Sequence, residues 1–449
     1  MNQDNENDRL SRRLKRYARV SGSMSGLAVK LASERLFGLT PDRAGHAADL
    51  RRALGGLKGP LMKVAQMLAT IPDALPPEYA RELGQLQAQA PAMGWPFVKR
   101  RMKSELGADW EKRFKSFTHE AAAAASLGQV HRAVALDGRA LACKLQYPDM
   151  RSAVEADLKQ LKLIFALYAR ADKAIDPRHI HDEIATRLRE ELDYDLEGRH
   201  MQLFGHMLAG EAGVHVPQVV PELSTGRLLT MSWLEGAPLL SFKDAPQEQR
   251  DIIAMNLFHA WYVPFHHFGV IHGDPHLGNY SVRPDGSINL LDFGCVRVFA
   301  PKFVQGVIDL YRALETDDRA LAVHAYETWG FSGLSNAVID TLNIWAEFIY
   351  APILDNRRRR IQEAPSPGVY GQDVAARVHS QLRASGTVTP PREFVFMDRA
   401  AIGLGGVFLH LAANINWHEL FEGVIADFSL DELARRQKAA LAVANVPEP

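Results

Sequence analysis

The sequence predicts an α+β fold of two lobes preceded by a helical extension. Two observations carry this prediction. Between about 110 and 237, short apolar runs are separated by the turn pairs Asp137-Gly138 and Thr225-Gly226, a pattern typical of antiparallel hairpins. Helical periodicity dominates before and after this region. We therefore divide the chain into a helical extension at 1–106, a sheet-containing lobe at 107–236 and a helical lobe at 237–449.

The individual elements follow from the same patterns. Strands are expected at 130–136, 140–145 and 227–233, and helices should interrupt the sheet between about 150 and 200. Beyond Gly236, one strand is expected, at 287–292. The chain should therefore carry a small sheet within a mostly helical protein.

Composition excludes several classes of protein. The 449 residues are 47% hydrophobic and 23% charged, as in ordinary globular proteins. Lys and Arg number 52 against 53 Asp and Glu, so no overall field attracts nucleic acid, and we expect no nucleic-acid partner. The two cysteines, Cys143 and Cys295, suggest reduced thiols rather than a disulfide framework.

The N-terminus and the hydropathy profile predict a cytoplasmic protein. The first ten residues are polar and lack the basic-then-apolar order of a signal peptide. No run of eighteen apolar residues occurs; the best candidate, Ala400 to Ala413, is short and contains His410, so we expect no membrane-spanning helix.

Two basic segments leave membrane contact open. At the start of the segment 9–30, the apolar residues Leu10, Leu14 and Tyr17 recur at helical spacing among six Lys and Arg residues between Arg9 and Arg19. This helix either lies on the inner membrane surface as a peripheral contact or is a solvated helix that packs on the protein. The cluster 357–360 is similarly either an exposed turn or a contact for lipid headgroups.

The most specific pattern is the run 272–279, HGDPHLGN, followed by a strand and by 292–294, DFG. A phosphotransferase needs an Asp that accepts a proton from the incoming hydroxyl, and an Asn and a second Asp that hold magnesium against the phosphates. We assign the first role to Asp274 and the metal to Asn279 and Asp292. His272 and His276 should anchor the loop by hydrogen bonds, because no zinc-ligand spacing accompanies them.

Upstream segments fit the nucleotide. Lys144 follows an apolar strand pattern, as expected for the lysine that holds the phosphates. The run 123–130, AAASLGQV, overlays the kinase pattern G-x-G-x-x-G-x-V with alanine at two glycine positions; a plain helix is the alternative. The candidate nucleotide contacts in this run are Ala123, Ala124, Ala125, Ser126, Gly128 and Val130.

A second nucleotide segment is expected near the end of the sheet. The run 228–236 is a buried strand pattern that ends in a glycine turn, at the position of a kinase hinge. Its candidate contacts with adenine are Met231, Ser232, Trp233 and Leu234.

Two further segments carry a family resemblance. The run 63–66, KVAQ, resembles the Lys-x-Gly-Gln motif of the AarF/UbiB family of atypical kinases, with Ala65 where glycine is usual. The run 191–197, ELDYDLE, resembles that family's Glu-x-Asp motif and the helix glutamate after it. The resemblance implies a bilobal protein-kinase-like fold whose N-terminal extension carries the Lys-x-Gly-Gln-type motif over the active site.

The resemblance also implies roles for these residues. Lys63 would pair with Glu191, and Gln66 would face the phosphates. Asp193 would support the Glu-x-Asp motif, and Glu197 would pair with Lys144. A solvated helix face is the alternative for the first segment.

The resemblance implies an enzyme that binds ATP or ADP with Mg²⁺. Its activity would be ATP hydrolysis or phosphotransfer to a small molecule or lipid, in support of ubiquinone or other isoprenoid-lipid metabolism, with a lipid or isoprenoid partner. The main alternative is a nucleotide-switched accessory module without catalysis that serves lipid-handling enzymes. A relative of aminoglycoside or choline kinases would share the His-Gly-Asp run, but such enzymes should lack the Lys63 and Glu191 segments.

Overall fold

The computed structural model of the chain describes residues 93–448, except residue 126, residues 172–176 and most of 364–390. Helices and strands both occur, in agreement with the predicted α+β class. The α-helices of the described residues are α1 (Trp95–Leu106), α2 (Met150–Ala171), α3 (Pro177–Glu190), α4 (Tyr194–Met207), α5 (Gln247–Phe268), α6 (Pro301–Thr316), α7 (Arg319–Thr328), α8 (Asn336–Leu354), α9 (Arg392–Leu411), α10 (Trp417–Ile425) and α11 (Leu430–Ala444).

The strands form three sheets, with orders β1-β3-β4-β6 (β2 also pairing with β3), β5-β10-β9-β7 and β11-β8. Their bounds are β1 (Phe114–Phe117), β2 (Ala123–Ala125), β3 (Gly128–Ala135), β4 (Ala140–Gln146), β5 (Val214–His215), β6 (Leu228–Ser232), β7 (Ala237–Pro238), β8 (Val270–His272), β9 (Tyr280–Val282), β10 (Ile288–Leu290) and β11 (Val296–Val298).

The predicted hairpins are present. β3 and β4 are joined through Asp137-Gly138, where Gly138 has a φ of +92°, a left-handed conformation that favours glycine. β6 lies within the predicted run 227–233, and α2, α3 and α4 occupy the predicted helical stretch. The expectation of one strand beyond Gly236 was wrong, because β7, β8, β9 and β11 also occur there. Strands of two or three residues are too short to show an alternating pattern.

The chain divides into two compact units. One comprises the described parts of Met1–Trp110 together with Thr118–His131 and Lys144–Leu192; the other comprises Glu111–Phe117, Arg132–Cys143 and Asp193–Pro449. The boundaries proposed at 106/107 and 236/237 stay a prediction.

The first unit is held together by polar contacts, of which those of Arg101 are buried and that of Arg189 is exposed. Arg101 of α1 donates from Nε to the carbonyl of Gln146 and from Nη2 to that of Tyr147, each at 3.1 Å. Arg189 of α3 makes a two-pronged ion pair with Glu155 of α2, at 2.8 and 3.1 Å. Helix α1 is thus held at the end of β4, and α2 is held beside α3.

The second unit is organised around helix α5. This helix buries residues on all of its faces, and α10, α11 and β8 pack against it. It ends at Gly269, which has a φ of +64° and donates its N–H to the carbonyl of Phe265 at 2.8 Å. The left-handed glycine turns the chain directly into β8, the strand that leads to residue 272.

Helix α8 combines the length and the apolar composition needed to cross a membrane. Half of its most apolar window is buried in the structure, and a core helix of a soluble protein meets the same criteria. The sequence interpretation gave Ala400 to Ala413 as the best spanning candidate; it expected a helix before Arg357 but did not consider it as a candidate.

Candidate active site

The hairpin of β9 and β10 places Asn279 and Asp292 at the same end of a two-stranded ladder. Leu290 pairs with Tyr280 in antiparallel register. The N–H of Leu291 then donates to the carbonyl of Asn279 at 3.0 Å. Asn279 directly precedes β9, and Asp292 follows Leu291 just after β10. The two residues, 13 positions apart in the chain, therefore lie next to each other at this end of the hairpin.

A second strand pair brings in Asp274. His272 of β8 pairs with Val296 of β11, and the N–H of Gly273 donates to the carbonyl of Cys295 at 2.6 Å. A Cβ on Gly273 would lie 2.7 Å from the Cys295 sulfur, so this approach requires glycine. Asp274 therefore directly follows the residue, Gly273, at which the loop after β8 contacts the loop before β11.

Asn279 and Asp274 are in direct contact. The Asn279 side-chain nitrogen donates to the Asp274 carbonyl at 2.9 Å, and it lies 3.4 Å from the Asp274 carboxylate. The nitrogen is therefore fixed, and the amide oxygen is the atom of Asn279 that can coordinate a cation. Asp292 accepts the N–H of Gly294 at 3.0 Å, which orients its carboxylate. All three side chains are half-buried.

This donor set fits magnesium. A carboxylate and an amide oxygen are hard oxygen ligands of the kind that Mg²⁺ prefers, and half-burial leaves room for waters or phosphate oxygens. Asn279 and Asp292 are the residues that would hold the ion.

His272 ties the two loops to each other. Its Nε2 donates to the main-chain carbonyl of Asp292, and its Nδ1 accepts the N–H of Asp274 at 3.3 Å. A carbonyl can only accept and an amide N–H can only donate, so the ring is the Nε2–H tautomer. The predicted anchoring role is present, and His276 likewise accepts the N–H of Gly278 at 3.1 Å.

Phe293 is packed inward beneath these loops. It is fully buried, and its ring lies 5.4 Å from Phe204 of α4 and 6.0 Å from His272. His200 of α4 donates from Nδ1 to the Phe293 carbonyl at 3.1 Å. Burial lowers the pKa of His200 to about 4, so the neutral ring makes this bond at physiological pH.

The predicted Glu-x-Asp segment forms the start of α4. The Asp193 carboxylate caps the helix by accepting the N–H of Leu196 at 3.0 Å. Glu197 lies in the first turn and is 2% exposed. Asp193 therefore sets the start of the helix that carries Glu197 and His200, while Glu191 lies half-buried in the preceding turn of the other unit.

Lys144 and the alanine run belong to the first unit. Lys144 lies on β4 and is 8% exposed. The alanines form strand β2, in which Ala123 pairs with Val130 and Ala125 with Gly128, so the helix alternative is wrong. The predicted pairs of Lys144 with Glu197 and of Lys63 with Glu191 stay predictions.

The segment predicted to contact adenine is partly occupied by the protein's own hydrogen bonds. The N–H of Ser232 donates to the carbonyl of Gln218 at 2.8 Å, and the N–H of Trp233 donates to that of Ala140 at 2.9 Å. An adenine contact from Met231 to Leu234 has to use the other backbone groups of the segment.

Some predicted residues lie outside the described part of the chain. These are Lys63, Gln66, Ser126 and the basic segment 9–30.

The basic cluster at 357–360 has structural partners. Arg358 pairs with Asp251 of α5 at 2.9 Å, and Arg359 and Arg357 both pair with Asp355, at 2.9 and 2.8 Å. These contacts compensate three of the four arginine charges that a lipid headgroup would need.

Both cysteines are free thiols, as expected. Burial raises the pKa of Cys143 to about 12, so it stays protonated beside Thr230, whose hydroxyl lies 3.8 Å from the sulfur.

A further cluster of side chains that could bind a metal ion consists of Glu315, His418 and Glu422. Its negative charge is compensated by an arginine of the protein. Arg312 makes two contacts with the Glu422 carboxylate, at 2.8 and 3.0 Å.

Sequence reasoning missed two contributors to the catalytic loops. His200 belongs to no recognised motif, and only the fold brings it to Phe293. Gly403 of α9 packs against Pro275, and a Cβ at this position would overlap the proline ring. The glycines of α9 can be read from the sequence, but the contact of Gly403 with Pro275 cannot.

Comparisons of the whole chain with known proteins identify its relatives. The profile described as the ABC1 atypical kinase-like domain matches residues 85–325. The chain is 26% identical over 384 residues to the mitochondrial atypical kinase coq-8 of Caenorhabditis elegans, which covers 82% of this chain and 50% of that protein. It is 31% identical over 251 residues to the mitochondrial atypical kinase COQ8 of Saccharomyces cerevisiae, covering 55% of this chain and 50% of that protein.

A solved structure supports the same fold. The Mycobacterium tuberculosis protein Rv3197, in its complex with erythromycin, matches with a TM-score of 0.58 and 27% identity, over 90% of this chain and 98% of that chain. The chain spans about half the length of the curated relatives it matches. With a family match over residues 85–325 and the loop geometry described above, the chain belongs to the ABC1 (AarF/UbiB) family of atypical kinases.

Proposed function

We propose that this protein is an ATP-binding enzyme that hydrolyses ATP or transfers its phosphoryl group to a small molecule or lipid. The observation that carries the proposal is the contact between Asn279 and Asp274 at the open end of the hairpin that leads to Asp292. These three side chains match the base and the two metal-holding groups of phosphotransferases in type and order.

The residues divide the work as follows. Asp274 accepts the proton of the attacking hydroxyl or water, while its contact with Asn279 holds the loop in position. Asn279 and Asp292 would hold Mg²⁺, which supplies neutralisation of the phosphate charge when bound. His272 keeps the base loop and the metal loop in register through its two ring nitrogens.

The nucleotide contacts are part of the same proposal. Lys144 binds the phosphates and is held by Glu197, and the strand-turn segment 123–130 covers the phosphates. Lys63, paired with Glu191, and Gln66 close over the site and restrict the acceptor to small molecules or lipids.

The relatives suggest the biological setting. Two of them are named atypical kinases, and both of these are named mitochondrial proteins. On the family resemblance we propose a role in ubiquinone or other isoprenoid-lipid metabolism, with peripheral contact to a membrane through the basic segment 9–30.

Replacing Arg12, Arg13 and Arg16 with Gln in the full chain should abolish co-flotation with anionic vesicles.

The test of the proposed activity is phosphate release from MgATP by the purified full chain, with and without lipid vesicles. The wild-type protein should turn over, and Asp274→Asn should bind MgATP normally but turn over at least tenfold more slowly. Binding of MgATP without turnover under every lipid condition would instead establish the non-catalytic accessory module.

A further inference from the structure

An apolar cavity lies in the second unit, and neither the proposed base nor the proposed metal ligands line it. Its enclosed volume is about 80 Å³. Together with its opening to solvent, the empty space amounts to roughly 630 Å³. Helices α5, α8, α9 and α10 supply most of its wall. The lining side chains that matter below are Trp261, Tyr262, His266, Trp345, Tyr350 and Ala401.

One of these side chains has an unpaired polar atom. His266 is 2% exposed, and its Nδ1 donates to the carbonyl of Tyr262 at 2.9 Å. Because Nδ1 carries the proton, Nε2 is an acceptor, and this buried nitrogen has no hydrogen-bond partner among the described residues. An unsatisfied buried acceptor costs about 1–3 kcal/mol, so it requires an explanation.

Three other polar groups of the wall are already satisfied. The indole of Trp261 donates to the Tyr280 hydroxyl at 3.0 Å, and the indole of Trp345 donates to the Asp398 carboxylate at 2.5 Å. The Tyr350 hydroxyl donates to the Val307 carbonyl at 3.0 Å. The cavity therefore combines an apolar wall with the His266 acceptor.

A water molecule is a poor occupant of such a site. Buried waters typically make two to four hydrogen bonds, whereas His266 Nε2 is the one buried side-chain atom of the described wall that lacks a partner. An apolar molecule with one hydrogen-bond donor matches both features, since its donor satisfies Nε2 and its carbon atoms replace empty space. An apolar cavity of about 150 Å³ holds benzene. A cavity of 80 Å³ therefore encloses the hydrogen-bond donor and a few carbon atoms of the bound molecule, and the rest of its alkyl chain extends through the opening.

We propose that this cavity binds an apolar alcohol, whose hydroxyl donates a hydrogen bond to Nε2 of His266. The buried ring is available as an acceptor at neutral pH, because burial lowers the pKa of His266 to about 4. None of the proposed nucleotide contacts lines the cavity, so its occupation can be measured without ATP.

The experiment compares two isomers of one formula, 1-octanol and heptyl methyl ether, on the full chain. Both have the same number of carbon atoms, but the ether cannot donate a hydrogen bond. Binding is followed by tryptophan fluorescence, to which Trp261 and Trp345 of the cavity wall contribute among the seven tryptophans, and by the thermal unfolding midpoint. We expect saturable binding of the alcohol that is about fivefold to tenfold tighter than that of the ether, the worth of one neutral hydrogen bond.

Variants locate the effect. His266→Phe keeps an aromatic ring but removes the acceptor, so it should abolish the preference for the alcohol. Ala401→Leu should narrow the cavity and weaken both isomers, whereas the matched control His267→Phe should keep the preference, since His267 is bonded elsewhere, to the Val424 carbonyl at 2.9 Å. Equal affinity of the two isomers for the wild-type protein, or no saturable binding of octanol, would overturn the proposal without recourse to any variant.

Discussion

The imidazole of His272 donates a hydrogen bond to the main-chain carbonyl of Asp292, 20 residues further along the chain. Through its other nitrogen the same ring accepts the N–H of Asp274. One buried side chain thus connects the loop of the proposed base with the loop of a proposed metal ligand. The ring therefore helps to hold in place the two loops that carry the proposed functional carboxylates.

Replacing His272 with Phe should therefore uncouple the loops. The phenyl ring preserves the packing against Phe204 and Phe293, but the Asp292 carbonyl and the Asp274 N–H lose their partner. We expect a loss of about 2 kcal/mol of stability by urea unfolding, and a fall in ATP turnover of up to roughly 100-fold from misplacement of the base. His276→Phe is the control: its exposed ring makes one bond, to Gly278, and should cost less than about 1 kcal/mol. Equal effects of the two changes would contradict the bridging role.

Asp292→Asn should remove magnesium-dependent nucleotide binding. The substitution keeps the size of the side chain but removes the charge that attracts the cation. We expect ADP affinity in the presence of Mg²⁺, measured by calorimetry, to fall at least tenfold. Asp285→Asn, in the turn at the other end of the same hairpin, keeps an acceptor for Ser287 and should leave the affinity unchanged. Unaltered affinity in the Asp292 variant would refute the metal assignment.

Gly403→Ala should disturb catalysis from outside the loop. The new Cβ would overlap the ring of Pro275, which directly follows Asp274, so the loop has to move. We expect turnover to fall about tenfold or more, because a small displacement of the base is costly. On the same helix, Gly406 has open space where a Cβ would be added, and Gly406→Ala should raise stability by about 0.5–1 kcal/mol through helix propensity. Loss of turnover in both variants, or in neither, would argue against the Pro275 contact.

The buried histidines should make the fold sensitive to mild acid. The pKa of His266 is about 4 in the folded protein, below the ordinary value of 6.5, because burial disfavours the charged ring. The unfolded chain therefore binds protons first, so stability is full above about pH 6.5 and falls as the pH drops towards 4. Each such histidine contributes a loss of about 2 kcal/mol between pH 7 and pH 5, and His200 acts in the same direction.

Urea unfolding at pH 7 and pH 5 measures this effect. In His266→Phe the loss between the two pH values should shrink by about 2 kcal/mol, since one titrating group is gone. An identical loss in the variant and the wild-type protein would show that His266 does not titrate as its burial requires.

The parts predicted well are those with local signals. Asp137-Gly138 defines the β3–β4 hairpin because its glycine adopts a positive φ, and the apolar runs on either side have strand character. The catalytic run 272–279 and the tripeptide 292–294 were recognisable because the chemistry demands particular side chains in a particular order.

The parts that were missed depend on contacts between distant segments. Strands β8, β9 and β11 have three residues each, too few for a periodic pattern, and they are stable only because each pairs with a partner elsewhere in the chain. The basic cluster at 357–360 was ambiguous for a similar reason, since Asp251, the partner of Arg358, lies 107 residues away.

By itself, the sequence determined which residues are the candidates for chemistry: a proposed base, two proposed magnesium ligands and a proposed phosphate-binding lysine, in the order of an atypical kinase. Only the tertiary structure decided that the Asn279 amide would contact Asp274, that His272 would bridge two loops, and that His266 would keep a nitrogen unpaired among the described residues in an apolar cavity. The physical reason is that residue type and order are local properties of the chain. Hydrogen-bond partners and burial depend on which distant segments pack together.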